Sequence, residues 1–544
     1  MKKKLIYLGI ILLFLLLNFS TICPLASIIK NTNGNNGPWS ELCKITEPDI
    51  KDDENFGTSL STYKEYVIAG VPSHEINGEI KGAAFIYKRN GNNWEKQHKL
   101  IASDGKDEDW FGESTAISDN YAIIGAPGEN TKRGAVYIYK RNDNSWIEVQ
   151  KLIASDGESG DYFGGSVALD GNYLIVGAED DENENCINGY SSGAAYIFEK
   201  EDNLWIEKQK IIASDGECGD EFGTSISISG DYAIIGAPYA GNGGAAYIFK
   251  ISGSIWTEQQ KLTHSYLEQY DYFGSDVSID GDYALIGARG DDKEEGAAYV
   301  FKRDGNSWTE QQVLKAHDAG VNGDFLFWGR FGTSVSISRD YAIISAPYTE
   351  DWMGGAYIFK RDGNSWTEQQ KIIPSDGDAY RYYSAPYWEH GDKFGSSVEI
   401  YGNTAIISSI DDDDTGKNAG AAYIFSILPD PPTIDGPSTG VAGKSYAYNF
   451  TSIHPDGDEL SYFIDWGDGT YSDWFGPFNS GEPAKKSHVW ENKGGFIIKA
   501  KSKDIYGTES AWSDPLPVIM PKTKICYNNL IKKILEFIRE FLQN

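Results

Sequence analysis

The chain has 544 residues, and its 80 acidic against 48 basic side chains give a formal net charge of −32. This charge argues against nucleic acid as a partner, because nucleic-acid binding depends on Lys and Arg neutralising phosphates. It argues equally against electrostatic docking on an anionic membrane, and it fits a soluble exported protein or one that concentrates cations. Abundant aromatic residues and glycines favour short strands joined by tight turns.

The first residues have the pattern of an export signal. A basic start precedes an uninterrupted apolar run from Leu5 to Leu17, and small residues such as Ala26 follow. Because the run is short for a membrane span, we predict a signal peptide over residues 1–27. An uncleaved N-terminal anchor is the alternative.

A repeated unit fills residues 39–425. Its landmarks are a Phe-Gly pair, then a segment such as Tyr232-Ala-Ile-Ile-Gly-Ala-Pro238, then Gly-Ala-Ala-Tyr-Ile-Phe, and last a Trp followed by Lys-Leu or Lys-Ile. The pair occurs seven times, at Phe56-Gly57, Phe111-Gly112, Phe163-Gly164, Phe222-Gly223, Phe273-Gly274, Phe331-Gly332 and Phe394-Gly395.

Each unit predicts four short strands. The first alternates polar and apolar residues, the middle two are almost continuously apolar, and the fourth is polar with one Trp and one Leu or Ile. Glycine-containing two-residue turns suit hairpins between them. Seven such units predict an all-β fold, a seven-bladed β-propeller.

The phase of the repeat predicts how the ring closes. Residues Trp39 to Ile45 match the fourth strand but precede the first Phe-Gly pair, whereas the seventh unit ends at Phe425 without a fourth strand. We therefore expect the N-terminal segment to complete the last blade, which removes two open strand edges.

The in-register copies resemble the FG-GAP repeat family, whose best-known members are the propellers of integrin α-subunits. The resemblance covers residues 39–425, although Gly-Ala-Pro degrades to Gly177-Ala-Glu179, Gly287-Ala-Arg289 and Ser408-Ser-Ile410. We interpret each Phe of a Phe-Gly pair as an inter-blade packing residue. The Gly would permit a close backbone approach.

Acidic residues concentrate in the loops on one predicted face of the ring. Clustered carboxylates suit calcium, a possible cofactor, and the candidate metal ligands are Asp180, Asp181, Asp411, Asp412, Asp413 and Asp414. The resemblance places calcium loops between the first two strands of a blade, where this chain has only two-residue turns. The alternative is a solvated acidic rim that keeps an exported protein soluble.

The cysteines suggest one cross-link and no zinc site, since none forms a Cys-x-x-Cys pair. Cys186 and Cys218 fall in loops of neighbouring blades on the acidic face. We therefore hypothesise a disulfide between them. Cys43, in the closing segment, is interpreted as a buried packing residue.

Two further segments follow the propeller. A Pro-rich linker is predicted at 426–436 and a β-sandwich at 437–520. Its Trp466-Gly-Asp-Gly469 stretch and the later strand Gly495–Lys499 resemble the PKD family of Ig-like modules, which are commonly spacers or adhesive modules. Residues 527–543 predict a short amphipathic helix that could contact a membrane or a partner, self-associate, or pack on the sandwich.

The predicted function is that of a non-catalytic binding or adhesion protein, secreted or at the cell surface, whose propeller loops meet an extracellular protein or glycan. The sequence has no His-Glu-x-x-His motif, and no catalytic residues are predicted. An extracellular hydrolase, such as a carbohydrate-active enzyme, using the acidic face is one alternative. A structural surface-layer component is another.

Aromatic-rich insertions in blades six and seven are the predicted ligand site. Its candidate residues are Phe327, Trp328, Arg330, Tyr382, Tyr383, Tyr387 and Trp388. The alternative is that these side chains only pack on one another.

Overall fold

The computed structural model describes residues 37–182, 186, 191–318, 329–349, 352–378 and 391–521, and the backbone of 381–382 and 388–389. The chain divides into two compact units between Ile427 and Leu428, and each is described by itself. The predicted signal peptide (1–27) and C-terminal helix (527–543) lie outside the described residues. In the part that is described, no helix is long and apolar enough to cross a bilayer.

The first unit contains, within its described residues, seven four-stranded antiparallel sheets, which are the blades. Strand β1 (Trp39–Ile45) precedes them. The strands of blades 1 to 3 are β2 (Leu60–Tyr63), β3 (Tyr66–Val71), the short pair β4 (Glu75–Ile76) and β5 (Glu79–Ile80), β6 (Ala83–Asn90) and β7 (Asn93–Leu100); β8 (Thr115–Ile117), β9 (Tyr121–Ala126), β10 (Ala135–Asn142) and β11 (Ser145–Leu152); and β12 (Val167–Asp170), β13 (Tyr173–Ala178), β14 (Ala194–Glu201) and β15 (Leu204–Ile211).

Blades 4 to 7 repeat this plan. Their strands are β16 (Ile226–Ser229), β17 (Tyr232–Ala237), β18 (Ala245–Ser252) and β19 (Ile255–Leu262); β20 (Phe273–Asp280), β21 (Tyr283–Ala288), β22 (Ala297–Asp304) and β23 (Ser307–Leu314); β24 (Val335–Ser338), β25 (Tyr341–Ala346), β26 (Gly355–Asp362) and β27 (Ser365–Ile372); and, after the pair β28 (Arg381–Tyr382) and β29 (Trp388–Glu389), β30 (Phe394–Tyr401), β31 (Thr404–Ser409) and β32 (Ala421–Ile427). Short helical turns occur at Glu129–Lys132 and Asp291–Glu294.

The ring closes as the phase of the repeat predicts. The first strands of successive blades contact one another around the ring, and β30 of blade 7 contacts β2 of blade 1. Strand β1 pairs antiparallel with β32, from Trp39 opposite Ile427 to Ile45 opposite Ala422. The N-terminal segment is therefore the fourth strand of blade 7.

The Phe-Gly pairs pack between blades, as expected. All seven Phe side chains are at most 1% exposed, and Phe111 lies in one apolar cluster with Ile86 and Leu100 of the preceding blade. Gly112 has φ +103°, and a Cβ there would lie 2.4 Å from the carbonyl oxygen of Ala83. Only glycine combines this backbone angle with so close an approach.

Neighbouring blades are also joined through their outer strands. A Gln on one outer strand accepts a hydrogen bond from the backbone N–H of the Trp on the next, and its amide donates to the same Trp carbonyl. The pairs are Gln150 with Trp205, Gln209 with Trp256, Gln260 with Trp308, Gln312 with Trp366, and Gln370 with Trp39.

The inner strands satisfy their free edges in a similar way. Ser227 accepts a hydrogen bond from the backbone N–H of Ile279 in the next blade at 3.1 Å, and Ser336 accepts one from Ile400 at 3.2 Å. Since unpaired strand edges invite aggregation, these hydroxyls explain the Ser-rich alternation of the first strands.

The second unit is a β-sandwich. Its sheets are β33–β34–β37 and β36–β35–β38–β39. The strands are β33 (Thr433–Asp435), β34 (Ser445–Thr451), β35 (Leu460–Asp465), β36 (Phe475–Phe478), β37 (Ala484–Val489), β38 (Gly494–Lys503) and β39 (Leu516–Met520). Trp466 and Trp490 are buried between the sheets. The sandwich begins inside the segment expected as a linker, because β33 starts directly after the Pro residues at 431 and 432.

Candidate functional site

The carboxylates proposed as calcium ligands have partners within the ring. Asp181 accepts a hydrogen bond from the Tyr196 hydroxyl at 2.6 Å and pairs with Lys210 at 2.8 Å. Burial chiefly raises the pKa of Asp180, which lies near Lys132. The charge of Asp181 is thus compensated by a lysine.

The run Asp411 to Asp414 is arranged similarly. The partners are Lys393 for Asp411 at 2.7 Å, Tyr423 and Lys44 for Asp412 at 2.8 and 2.7 Å, the backbone N–H of Asn418 for Asp413 at 2.6 Å, and Lys44 for Asp414 at 2.6 Å. Among the described residues, no group of three or more His, Cys, Asp or Glu side chains is placed to hold a metal ion. In the structure these aspartates form ion pairs and hydrogen bonds.

This arrangement is a property of the repeat. An Asp after the outer strand meets the Tyr of the third strand and a Lys of the outer strand in five blades: Asp104, Tyr137 and Lys151; Asp156, Tyr196 and Lys210; Asp215, Tyr247 and Lys261; Asp318, Tyr357 and Lys371; and Asp376, Tyr423 and Lys44. Much of the acidic rim is thus tied to the scaffold.

The aspartates that stand two residues before the Phe-Gly pairs have a structural role as well. Asp161 is buried and accepts the backbone N–H of Glu158 at 2.6 Å, and Asp392 accepts that of Asp378 at 2.7 Å. Burial raises the pKa of Asp161 to about 6 and that of Asp392 to about 7. These carboxyls close the loops that lead into the inner strands.

The two loop cysteines are joined. Cys186 and Cys218 form a disulfide with their Cα atoms 5.4 Å apart, which links the loops of blades 3 and 4 as hypothesised from the sequence. Cys43 is a buried thiol in β1.

The predicted aromatic site is only partly described. Phe327, Trp328, Tyr383 and Tyr387 lie outside the described residues. Tyr382 and Trp388 stand opposite each other in the strand pair β28–β29. Arg330 pairs with Glu294 at 3.1 Å and lies over the Tyr348 ring at 5.0 Å, so it joins the loops of blades 5 and 6.

A different site lies where the inner strands begin. The residue before each Phe-Gly pair has a left-handed backbone with φ between 52° and 58°, although none of the seven is glycine: Asn55, Trp110, Tyr162, Glu221, Tyr272, Arg330 and Lys393. Bulky residues rarely adopt this conformation, and when they do they cluster at functional sites.

Two of these residues line a pocket of about 460 Å³, here called the axial pocket. Its lining residues come from blades 1 to 4 and are Pro72, Ser73, Trp110, Glu113, Pro127, Tyr162, Gly165, Glu179 and Thr224. The rings of Trp110 and Tyr162 are nearly parallel, at 17° with centroids 6.2 Å apart. The exposed Lys132 ammonium lies 5.5 and 5.2 Å from these two rings.

Carboxyls give the axial pocket its electrostatic character. Burial raises the pKa of Glu113, and burial together with the charge of Asp180 raises that of Glu179. Burial, with the charges of Glu179 and Asp180, raises the pKa of Glu221 to about 7. Glu113 and Glu179 line the pocket and form no ion pair with a described residue, whereas Glu221 lies outside the lining, close enough to Glu179 to be affected by its charge, and is partly compensated by Arg289.

Tyrosines continue the surface towards blade 5. Tyr239 and Tyr272 meet edge-on at 5.4 Å, and Arg289 lies 5.0 Å from the Tyr272 ring. Tyr266 and Tyr270, in the neighbouring loop, are 83% and 62% exposed. Such exposed rings are typical of recognition surfaces.

The axial pocket was not predicted from the sequence. A signal was present, because the position before each Phe-Gly pair varies in residue type, while the Phe and Gly after it are constant and the residue before it is Asp in five of the seven copies. Variation on a constant scaffold marks positions that the fold itself does not specify. The left-handed backbone at this position could not be predicted, because the alternation of polar and apolar residues along a strand does not report it.

Comparison with known proteins identifies the family. A model described as FG-GAP repeat matches residues 94–139, 146–198, 205–249, 256–301, 308–359 and 388–425, together just over half of the chain. The chain therefore belongs to the FG-GAP repeat family, and its first unit is an FG-GAP β-propeller.

Two individual proteins are similar to parts of the chain. Human integrin alpha-11 is 31% identical over 173 residues, which is 28% of this chain and 14% of that protein's length. The PKD domain of a peptidase from a Thermoplasmatales archaeon is 45% identical over 17% of this chain and 96% of that domain, with a TM-score of 0.17.

Proposed function

We propose that this protein is a non-catalytic recognition or adhesion propeller outside the cell, which binds a partner protein by taking a basic side chain into the axial pocket. The single observation that carries the proposal is the placement of two carboxyls without an ion-pair partner among the described residues, Glu113 and Glu179, in the same pocket as Trp110 and Tyr162, with Glu221 close enough to Glu179 for their charges to interact. A cation there would gain both charge pairing and a ring face.

Other features support the extracellular placement. The Cys186–Cys218 disulfide suits an oxidising compartment. The similarity to an integrin α-subunit points the same way, although it covers only part of each chain. Glycan binding at the strand pair β28–β29, where Tyr382 and Trp388 are opposite in register, is a second candidate that the same screen would reveal.

The test is a selection of random displayed peptides on the purified protein, run beside a glycan array. We expect enriched peptides to share a Lys or Arg, and the combined substitution Glu113→Gln, Glu179→Gln and Glu221→Gln to abolish their binding. The matched control is Asp143→Asn, Asp202→Asn and Asp304→Asn, which removes the same charge from exposed hairpin turns.

Three results would contradict the proposal. They are enrichment without basic residues, equal binding by the pocket variant, or equal loss in the control variant. Release of reducing sugars from an array glycan would favour the hydrolase alternative.

A further inference from the structure

The second unit carries an aromatic cluster on the outer face of its larger sheet, away from its core. Phe463 on β35 lies 5.9 Å from Tyr471, 5.5 Å from Trp474 and 6.1 Å from Trp512, measured between ring centroids. Tyr471 and Trp512 are 61% and 43% exposed. Four rings gathered on one exposed sheet face are unusual for a soluble domain and mark an interaction surface.

The sheet holds these rings in place. Phe463 is directly opposite Lys501 of β38, and the Lys501 ammonium lies 5.4 to 5.6 Å from the rings of Phe463, Trp474 and Trp512. Lys501 is also paired with Glu509. The charge of Lys501 is therefore used inside the cluster, where it orders the rings.

Two further lysines flank the cluster on the same face of β38. In register, Lys499 stands opposite Asp465, and Lys503 stands opposite Ser461. The Lys503 ammonium lies 4.3 Å from the Trp474 ring. Neither Lys499 nor Lys503 forms an ion pair with a described residue, so each can pair with an external anion.

Rings and cations in this arrangement select a particular chemistry. An aromatic face attracts the polarised C–H groups of a flat pyranose ring, and an ammonium pairs with a carboxylate or sulfate. Because Phe463 is held by strand pairing and Trp474 is half-buried, the surface presents fixed rings and not a wedge for insertion into lipid.

We propose that this face, Phe463, Tyr471, Trp474, Trp512, Lys499 and Lys503, binds an acidic polysaccharide carrying uronate or sulfate groups. The proposal concerns the second unit alone and does not depend on the axial pocket. It gives the sandwich a ligand of its own.

The experiment is affinity electrophoresis of the full chain through gels that contain polygalacturonate, dextran sulfate or neutral dextran. We expect retardation by one or both acidic polymers and not by dextran, weakening as NaCl is raised. Trp512→Ala and Lys503→Gln should each weaken retention at least about tenfold, whereas Lys503→Arg, which keeps the charge, should retain it.

Tyr266→Ala is the control, since it removes a still more exposed ring from the propeller. Folding of each variant is checked by its thermal transition. The proposal is overturned by retardation that is equal in neutral dextran, by full retention in folded Trp512→Ala, or by no retardation in either acidic polymer. Retention lost equally in Tyr266→Ala would place binding on the propeller and also overturn it.

Discussion

Trp39 and Gln370 lie 331 positions apart and exchange two hydrogen bonds, from the Trp39 N–H to Gln370 Oε1 at 2.9 Å and from Gln370 Nε2 to the Trp39 carbonyl at 2.9 Å. The same exchange joins blades that are continuous in the chain, such as those of Gln260 and Trp308. At Trp39 it fastens the strand that closes the ring, so the closure uses the ordinary inter-blade contact of the repeat.

Gln370→Ala should loosen the closing strand. The Trp39 N–H and carbonyl would be left buried without their partner, which costs about 1–3 kcal/mol. We expect a lower Tm and faster proteolytic release of residues 37–45. Gln260→Ala loses the same two bonds at an interior junction and should lower Tm without releasing that segment. Equal protease resistance of both variants would contradict this account of closure.

Phe222→Ala should destabilise the propeller strongly. Phe222 is fully buried and packs against Tyr247 and Phe249 at 5.5 and 5.9 Å, so its loss leaves a cavity between blades. The expected cost is about 3–5 kcal/mol, measured by denaturant unfolding. Tyr239→Ala, at a half-exposed ring on the same blade, should cost far less.

Glu399→Gln should stabilise the propeller at high pH. Glu399 lies on the inner strand β30. Burial, and to a smaller extent the charge of Asp276, raises its pKa to about 8, although a hydrogen bond from Ser336 lowers it. A carboxyl whose folded pKa is raised stabilises below its unfolded pKa, and that stabilisation is lost as pH rises through about 8.

The measurement for Glu399 is Tm at pH 5, 7 and 9. The variant should exceed the natural protein by a few degrees at pH 9, and the difference should shrink towards pH 5. Glu217→Gln, at an exposed carboxylate, should show no such trend. A difference that grew on acidification would contradict the assignment.

His454 should make the second unit more stable in mild acid. Burial alone lowers the pKa of this buried histidine, but the Asp504 carboxylate, 3.6 Å from the ring, and the charges of Asp458 and Asp456 together raise it above 6.5. Stability gained this way is complete below pH 6.5 and is lost as pH rises through the folded pKa.

Hydrogen exchange of peptides from residues 437–520, corrected for intrinsic rates, measures this effect. Protection should fall between pH 6 and pH 9 in the natural chain. His454→Gln should be less protected at pH 6 and should lose most of the pH dependence. A pH dependence unchanged in the variant would show that another group is responsible.

Much of the propeller could be predicted because the regular spacing of its landmark residues reveals the repeat. Blade structure follows from the Phe-Gly pairs and the apolar middle strands. Ring closure follows from the outer strand at Trp39, which precedes the first repeat in the chain. Each depends on local patterning that survives in one sequence. The Cys186–Cys218 pair followed from loop positions on adjacent blades.

The site could not be read in the same way. Asp181 and Asp412 look like metal ligands in sequence, but Lys210 and Lys44 reach them from outer strands more than twenty positions away in the chain. Trp110 and Tyr162 have a left-handed backbone. Such conformations leave no periodic signal, and the pocket they build appears only when blades are assembled.

The most direct test of the central claim is the affinity of one selected Lys- or Arg-containing peptide, measured by calorimetry at pH 6 and pH 8. Because burial raises the pKa of Glu221 to about 7, we expect tighter binding at pH 8, with little binding at either pH by the Glu113, Glu179 and Glu221 triple variant. Binding that is equally tight at both values, or unchanged in the triple variant, would show that the axial pocket is not the recognition site.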